Sequence, residues 1–250
     1  MSDPTQDART ESFQVLWRRH TREEINSLPL ADIVAVQPIG SLEQHGLHLP
    51  VDTDTRTAAY VAEHAARKAG VPTLVLPVIP YGLSIHHMAY GGTVTLRVQT
   101  LLALLEDVCR SIRDQGIDRI LILSGHGGNR AAITAAAQEL SFRLERQIEA
   151  CCWFDLIEPQ IDAIMEGPVH DVGHAGEAET SAMLFLAPDE VRRDRLTPVA
   201  GITDDPARGS RLKGERMLAA AVEAVAERIR HLASLPGREV SGFAPVDEES

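Results

Sequence analysis

Short, predominantly apolar runs that alternate with helical segments constrain the fold more than any other feature of the sequence. Three such runs cover residues 33–36, 73–76 and 119–123, and a fourth is indicated at 150–154. Strands that are apolar on both faces are typical of parallel sheets covered by helices on both sides. The pattern therefore predicts an α/β fold of three layers, in which a largely parallel β-sheet is flanked by helices.

The helical segments between these runs carry apolar residues at a spacing of 3.6 and end at glycines. Residues 54–69 end at Gly70, and 98–115 end at Gly116. The chain of 250 residues shows no internal repeat and no linker that demands a second domain. We therefore expect a single domain, 1–250, with flexible ends at 1–12 and 237–250.

Charge and composition exclude several classes of function. The 24 Lys and Arg against 36 Asp and Glu give a net charge of −12, which argues against nucleic-acid binding through a broad basic face. No stretch approaches the roughly 18 uninterrupted apolar residues of a membrane span, and residues 1–12 lack the apolar core of a signal peptide. The three cysteines lack the spacing of a disulfide framework. We expect a cytoplasmic protein without nucleic-acid or membrane partners.

The loop after the first predicted strand holds residues that bind metals in other proteins, and ligands bind beyond the carboxyl ends of strands in such sheets. It contains Glu43, His45 and Asp54. Glu43 and His45 project to the same side of an extended backbone, because its side-chain period is two. A carboxylate beside an imidazole suits a divalent metal. Taken singly, each residue also has an ordinary reading, as a solvated loop acid, a hydrogen-bonded histidine or a helix cap.

Two further loops add candidates. His126 lies in the segment SGHGGN, whose glycines let the backbone turn sharply and leave the imidazole uncovered. Such a turn can instead cradle phosphate, but its spacing fits neither standard phosphate motif. The last cluster consists of Asp171, His174, Glu177 and Glu179. Its two glutamates point in different directions on a helix, so at most one should face a site.

Taken together, the segments SLEQHGLHLPVDTDT, YGLSIHHMAYGGTVTL, LILSGHGGNRAA and HAGEAETSAMLFLAPDEV resemble the creatininase family of metal-dependent amidohydrolases. The resemblance spans roughly residues 33 to 191. It implies a creatininase-like fold and two divalent ions, zinc or manganese, with iron in some relatives. It also implies a homo-oligomer, a hexamer by family resemblance, and a small-molecule amide substrate.

Carried over residue by residue, the resemblance implies that Glu43 and His126 bind one ion, that His45 binds the other and that Asp54 bridges both. Creatininase itself has a glutamate two residues after the glycine-flanked histidine, where this chain has Gly128. We predict that Glu179, which matches a family glutamate near the substrate, fills that vacancy directly or through water. If nothing fills it, the second metal should be weak or absent.

The resemblance also assigns roles in catalysis. His174 corresponds to the proton-shuttling histidine and is predicted, with Glu179, to be catalytic. Ser84 and Asp171 match positions near the substrate and are predicted to bind it. His86 and His87 belong to a substrate-side loop in relatives and are not expected to bind metal.

Ring-shaped creatinine is not the expected substrate, because the aromatic residues that enclose it in creatininase are replaced here by Gly127 and His170. The sequence predicts cleavage of a C–N amide-type bond in a larger or more polar molecule. Residues 177–191 and 201–206 are similar to the mycofactocin precursor peptidase branch of the family, which gives the alternative reading. For a phosphorylated substrate, Arg56, Arg97 and Arg130 are candidate contacts. A degenerate binding protein and a structural assembly protein are the non-enzyme alternatives.

Overall fold

The computed structural model describes residues 13–237. Of the ends predicted to be flexible, 1–12 and 237–250, all but residue 237 lie outside the described residues. In chain order the helices and strands are α1 (Arg22–Ser27), β1 (Val34–Ile39), α2 (Thr53–Ala69), β2 (Thr73–Val75), α3 (Val98–Asp114), β3 (Arg119–Ser124), α4 (Arg130–Leu144), β4 (Gln147–Cys152), α5 (Glu158–Ile164), α6 (Glu177–Leu186) and α7 (Arg211–Ser234). Within this part of the chain, no helix is both long and apolar enough to span a membrane.

The four described strands form one parallel sheet in the order β2-β1-β3-β4. This confirms the parallel α/β architecture expected from the apolar runs. Strand β1 extends beyond the predicted run 33–36, through Pro38 to Ile39, which pairs with Ser124. Strand β2 ends at Val75, and the Pro38 carbonyl accepts from the N–H of Ile79, which follows that strand. Proline has no N–H to donate, and at Pro38 no hydrogen bond to β2 is required.

Helices cover the sheet in two groups. Helices α2, α6 and α7 pack against one another, and α3 packs against α4. The core between the layers is built from residues with essentially no exposure, among them Val36, Ala62 and Leu121. Sheet and helices together give the three-layer α/β arrangement.

Helix α2 shows how local sequence sets an element that carries a functional residue. Its apolar positions, including Ala58, Val61 and Ala65, are fully buried, as their helical spacing predicts. It ends at Gly70, which adopts a left-handed backbone with φ 68°, a conformation that favours glycine. Asp54 lies in its first turn, so the buried face of α2 fixes this carboxylate at the edge of the sheet.

Helices α6 and α7 cross in very close contact at Gly214. A Cβ atom placed there would lie 1.9 Å from the carbonyl oxygen of Ser181. Only glycine therefore allows the two backbones this approach, which sets the position of α6 and of the glutamates in its first turn.

Candidate metal centre

Five buried ionisable side chains converge at the carboxyl end of the sheet. Loops after β1 and β3 and the first turns of α2 and α6 supply them, because these segments all meet at that edge. They are Glu43, His45, Asp54, His126 and Glu179.

Asp54 lies between the two histidines of this group. Its Oδ1 is 3.2 Å from Nε2 of His45, and its Oδ2 is 3.1 Å from Nδ1 of His126. Glu43 Oε2 is 3.3 Å from His126, and Glu179 Oε2 is 3.4 Å from His45. The arrangement has two halves joined by Asp54, with one histidine and one glutamate in each half.

Each histidine is oriented by a backbone carbonyl. Nδ1 of His45 lies 3.1 Å from the carbonyl oxygen of Glu43, and Nε2 of His126 lies 3.1 Å from that of Leu83. A ring nitrogen that donates its proton to a carbonyl leaves the other nitrogen with a free lone pair. The lone pairs left by this arrangement are on Nε2 of His45 and Nδ1 of His126, the atoms that face Asp54.

The centre holds polar atoms that other protein groups leave unsatisfied. Within residues 13–237, both carboxylate oxygens of Glu43, Nε2 of His45 and Oδ2 of Asp54 are buried without a hydrogen-bond partner. A buried polar atom without a partner costs about 1–3 kcal/mol. Oxygen and nitrogen atoms that converge in this way fit divalent cations, which would satisfy all of them together.

The electrostatics describe a site that holds protons in the absence of metal. Burial, and then repulsion from Asp54, raises the pKa of Glu43 to about 7. Burial alone would lower the pKa of His126, but the adjacent carboxylates of Asp54 and Glu43 raise it to about 9. Burial likewise opposes the ionisation of Asp54, yet the positive charges of His45 and His126 hold its pKa below the usual range.

The two glutamates in the first turn of α6 point in different directions, as the helical spacing predicts. Glu179 faces His45 and accepts a hydrogen bond of 2.5 Å from the N–H of Ala175. Glu177 points away and binds Lys213 Nζ at 2.5 Å. Glu179 is thus the carboxylate available to the half of the centre that contains His45.

His174 lies beside this centre with one nitrogen directed into it. Its Nε2 donates to the backbone carbonyl of Gln44 at 2.8 Å, while its Nδ1 is 3.3 Å from Glu43 Oε1. The side-chain amide of Gln44 donates to Nδ1 of His87 at 3.0 Å, and the His87 ring stacks on His174 with 4.1 Å between centroids. Burial lowers the pKa of His174, so the ring is neutral near pH 7 and its Nδ1 can accept a proton.

The residue after His174 is held in an unusual backbone conformation. Ala175 has φ 50°, in the left-handed region that residues with a Cβ rarely adopt. The turn directs the N–H of Ala175 to Glu179 and positions His174 beside Glu43. Strain of this kind is found at functional sites.

A cavity of about 510 Å³ opens onto the centre. Glu43, Asp54, His126, His174 and Glu179 lie on its wall, together with Asp171. The wall also includes His86, His87, Arg130, Phe154 and Thr203. The ring of Phe154 lies on the cavity wall, whereas the neighbouring Trp153 is buried in the core.

The predicted substrate contacts occupy different positions. Asp171 is exposed at the cavity, and its carboxylate accepts a hydrogen bond from the N–H of Gly173 at 2.7 Å. The His174 ring is held by Gln44 and not by Asp171. Ser84 is fully buried and contacts the Ser41 hydroxyl and, at 3.2 Å, Nε2 of His126. Ser84 therefore supports the ring of His126. A contact between Ser84 and the substrate stays a prediction.

Three further histidines, His48, His86 and His87, lie near the centre and are of two kinds. His86 and His87, which the sequence did not favour as ligands, each have a nitrogen that could join Glu43 in holding a cation. Burial is the main cause that lowers the pKa of His87 to about 3, so the His87 ring is neutral near pH 7. His48 is buried and lies 2.9 Å from the Thr180 hydroxyl, away from the cavity wall. Neither Gln44 nor Phe154 was predicted from the sequence, since Gln44 lies inside the first motif without being a ligand type and Phe154 lies outside all four motifs.

Two adjacent glycines in the turn after β3 have opposite surroundings. A Cβ at Gly128 would lie 2.4 Å from both Nε2 of His126 and the Leu83 carbonyl, so the turn has no room for a side chain there. A Cβ at Gly127 would meet only the edge of Phe154, at 3.9 Å. The cavity floor is therefore bare at Gly127, and the glutamate that creatininase carries at the position of Gly128 could not fit this geometry.

Comparison with known proteins agrees with this geometry. The family model for Creatininase, described as creatinine amidohydrolase, matches residues 18–229. The mycofactocin precursor peptide peptidase of Mycolicibacterium smegmatis is 35% identical over 219 residues, covering 77% of this chain and 83% of the relative. The creatinine amidohydrolase of Pseudomonas putida is 29% identical over 234 residues, covering 80% and 89%.

Solved structures give the same result for the fold. A crystal structure of creatinine amidohydrolase superposes with a TM-score of 0.77 at 26% identity, covering 90% of this chain and 100% of that one. A manganese form of creatininase and a Zn–Zn form of a creatininase variant both superpose with a TM-score of 0.74. The centre described above is a candidate for the same kinds of metal.

Proposed function

The chain belongs to the creatininase family of hydrolases that act on carbon–nitrogen bonds, and from this premise we propose that it cleaves an amide-type bond at the centre formed by Glu43, His45, Asp54, His126 and Glu179. The observation that supports the proposal is the convergence of these buried, unsatisfied oxygen and nitrogen atoms on one cavity. The products are a carboxylic acid and an amine or ammonia.

Two divalent cations, zinc or manganese, would be held by this set. Glu43 and His126 contribute to one position, His45 and Glu179 to the other, and Asp54 offers one oxygen to each. Iron remains an alternative, because a mixed set of oxygen and nitrogen ligands does not select among these metals. When bound, such cations supply Lewis acidity, which polarises an amide carbonyl and acidifies water near neutral pH.

His174 moves the proton that the reaction requires. The Nε2–H of His174 is bound to the Gln44 carbonyl, so Nδ1 is the basic atom and faces Glu43 and the cavity. At Nδ1 the ring takes a proton from the attacking water and delivers it to the leaving nitrogen, which is otherwise a poor leaving group. The Gln44 carbonyl fixes the tautomer, and the stacked His87 ring keeps the imidazole in place.

The substrate is larger or more polar than creatinine. Gly127 leaves the cavity floor bare, and His170, exposed and paired with Asp162, provides no wall. Ser84 and Asp171 are proposed as substrate contacts, with Asp171 directly accessible from the cavity.

A peptide is the second candidate substrate. The relative at 35% identity is a peptidase for a precursor peptide, whereas the creatinine amidohydrolase is 29% identical. A cavity of about 510 Å³ with a bare floor admits an extended chain more readily than a closed aromatic pocket would. A degenerate binding protein is disfavoured, because all five candidate ligands are present and converge.

We expect the chain to assemble with copies of itself, as a hexamer by family resemblance. Within residues 13–237, most of the exposed large apolar side chains come from the segments 47–51 and 81–98, among them Leu47, Ile85, Met88 and Val94, while Phe142 and Leu212 lie elsewhere. Apolar patches of this kind mark protein interfaces. Light scattering should give a mass several times that of the monomer, and Ile85→Glu should reduce it; a wild-type mass equal to the monomer would contradict the assembly.

Metal analysis combined with an amide panel tests the main proposal. Protein purified without chelator should contain about two zinc or manganese ions per chain and release amine from members of the panel, and chelation should abolish both. Glu43→Gln and His126→Ala should each lower metal content and activity. Full metal content in either variant, or hydrolysis that survives complete metal removal, would overturn the assignment.

A further inference from the structure

The cavity carries a fixed cation opposite its acidic centre. Of the residues that the structure describes, Arg130 is the one Lys or Arg on the cavity wall. It begins helix α4, immediately after the glycine turn that carries His126. The two other arginines that the sequence suggested for an anionic substrate do not line the cavity, and Arg56 is bound to Asp52 and Glu190.

Two neighbours immobilise the Arg130 guanidinium. Its Nε donates to Oδ2 of Asp155 at 2.9 Å, and its Nη2 donates to Oδ1 of the same carboxylate. Its Cζ lies over the ring of Phe154, 5.6 Å from the centroid. A planar guanidinium held on one edge and one face loses little further freedom when it binds a ligand.

The free edge of this guanidinium matches a carboxylate. Arginine has five N–H donors, and Asp155 occupies the edge formed by Nε and Nη2. The thiol of Cys152 is a further neighbour of the guanidinium. Asp155 does not occupy the edge formed by Nη1 and Nη2, whose two parallel N–H groups fit the two oxygens of a carboxylate from a second partner. More than half of the Arg130 side chain is exposed, so this partner can come from the cavity.

The cavity floor between His126 and Arg130 carries no side chain at residues 127 and 128. The residues between His126 and Arg130 in the chain include Gly127 and Gly128, and a Cβ at Gly127 would meet only Phe154. A substrate can therefore lie along this bare floor with its amide at the centre and its far end at Arg130.

We infer, resting on the proposed function, that Arg130 is a specificity-determining residue that binds a carboxylate of the amide substrate, such as the free carboxyl terminus of a peptide or of an N-acyl amino acid. A carboxylate suits this site better than a phosphate dianion, since one guanidinium already paired with Asp155 offers little charge to a dianion. Asp155 acts as a positioning residue for the guanidinium.

Binding of unreactive dicarboxylates to the metal-loaded protein tests this inference independently of hydrolysis. Succinate, glutarate and adipate can place one carboxylate at the cations and the other at Arg130, whereas butyrate can occupy the cations only. By calorimetry we expect the best dicarboxylate to bind about ten- to hundredfold more tightly than butyrate. In Arg130→Gln this advantage should disappear while butyrate binding is unchanged, and Arg130→Lys should retain part of it.

Arg56→Gln is the matched control, because it removes an arginine paired with carboxylates outside the cavity, and it should keep the full preference. An unchanged preference in Arg130→Gln or no preference in the wild type would overturn the inference, and so would an Arg130-dependent preference for glycerol 3-phosphate over every dicarboxylate. Failure of the proposed function would look different, as a metal-loaded protein that binds these ligands but releases no amine from the amide panel.

Discussion

At the scale of single residues, the centre depends on which atom of each side chain is left free. Carbonyl groups occupy one nitrogen of His45, His126 and His174, so the other nitrogen of each ring is directed to the carboxylates. This selection of tautomers explains why the histidines can act differently although their rings lie close together, with 4.5 Å between the centroids of His45 and His174.

Glu179 should control one cation and not the other. It contacts His45 in its half of the centre, whereas His126 and Glu43 form the other half. Glu179→Gln should lower the metal content from about two ions to about one per chain, measured by elemental analysis. Glu177→Gln is the control, because Glu177 points to Lys213, and it should leave the metal content unchanged. Equal loss of both ions in Glu179→Gln, or no loss, would contradict this role.

Ala175 should tolerate glycine and reject a β-branched side chain. Its φ of 50° strains any residue that has a Cβ, and glycine relieves that strain by about 1–2 kcal/mol. The greater freedom of glycine stabilises the unfolded chain by about 0.4–1 kcal/mol, so we expect Ala175→Gly to raise the free energy of unfolding by about 0–1.6 kcal/mol. Ala175→Val should lower it, because a β-branched side chain is strained further at this φ. Urea denaturation measures both, and a Val variant as stable as wild type would show that the backbone relaxes freely.

At the scale of elements, the metal centre forms where the ends of two strands and the first turns of two helices meet. The carboxyl ends of β1 and β3 lie side by side, so the loops that follow them deliver Glu43 and His126 to the same place. The buried face of α2 and the close crossing of α6 with α7 then bring Asp54 and Glu179 from the other direction. The ligands therefore depend on contacts well away from the centre.

Gly214→Ala should displace α6 and weaken the fold. The added Cβ would lie 1.9 Å from the Ser181 carbonyl, and overpacking of this kind costs about 1–3 kcal/mol. Helix propensity alone would instead stabilise α7 by about 1 kcal/mol. The sign of the change in the urea midpoint separates the two effects, and a stabilised variant would mean that the helices separate without cost. Because α6 carries Glu179, we also expect reduced metal content.

At the scale of the whole molecule, the sequence predicted the architecture well because its apolar strands and helical spacings are local signals. The first three predicted strands and the helices predicted at 54–69 and 98–115 appear in the structure, with Gly70 as a helix end, whereas the fourth strand is Gln147–Cys152 and not 150–154. The roles of Gln44 and Phe154 could not be read in the same way, and Arg130 was only one of three arginines that the sequence offered as candidate contacts. Each depends on which distant segment folds against it, and none stands in a pattern typical of ligands or catalysts.

Metal binding should expel protons and strengthen as the pH rises. In the metal-free protein the neighbouring carboxylates raise the pKa of His126 to about 9, so at pH 7 the ring is charged and must lose a proton before it binds a cation. Each proton displaced gives up to about a tenfold gain in affinity per pH unit until the pH reaches that pKa. Calorimetric titration with zinc at pH 7 in buffers of different ionisation heat should report the release, and none would be seen if His126 were already neutral.

The same raised pKa makes the metal-free fold sensitive to alkali. A group whose pKa is higher in the folded than in the unfolded chain stabilises the fold below its unfolded pKa, about 6.5 for histidine, and this contribution is lost as the pH rises through about 9. The melting temperature of the metal-free protein should therefore fall across that window, and saturation with zinc should remove most of the fall. A flat profile without metal would contradict the pairing of His126 with Asp54.

The contrast between Gly127 and Gly128 has a consequence for how such enzymes diverge. Residue 128 is locked by the packing of His126 and Leu83, but residue 127 faces open space within the same turn. Two adjacent positions therefore differ in what they affect: residue 128 supports the catalytic centre, and residue 127 can change the substrate preference. Variants substituted only at position 127 should therefore differ in the amides they prefer while the metal centre and His174 stay unchanged.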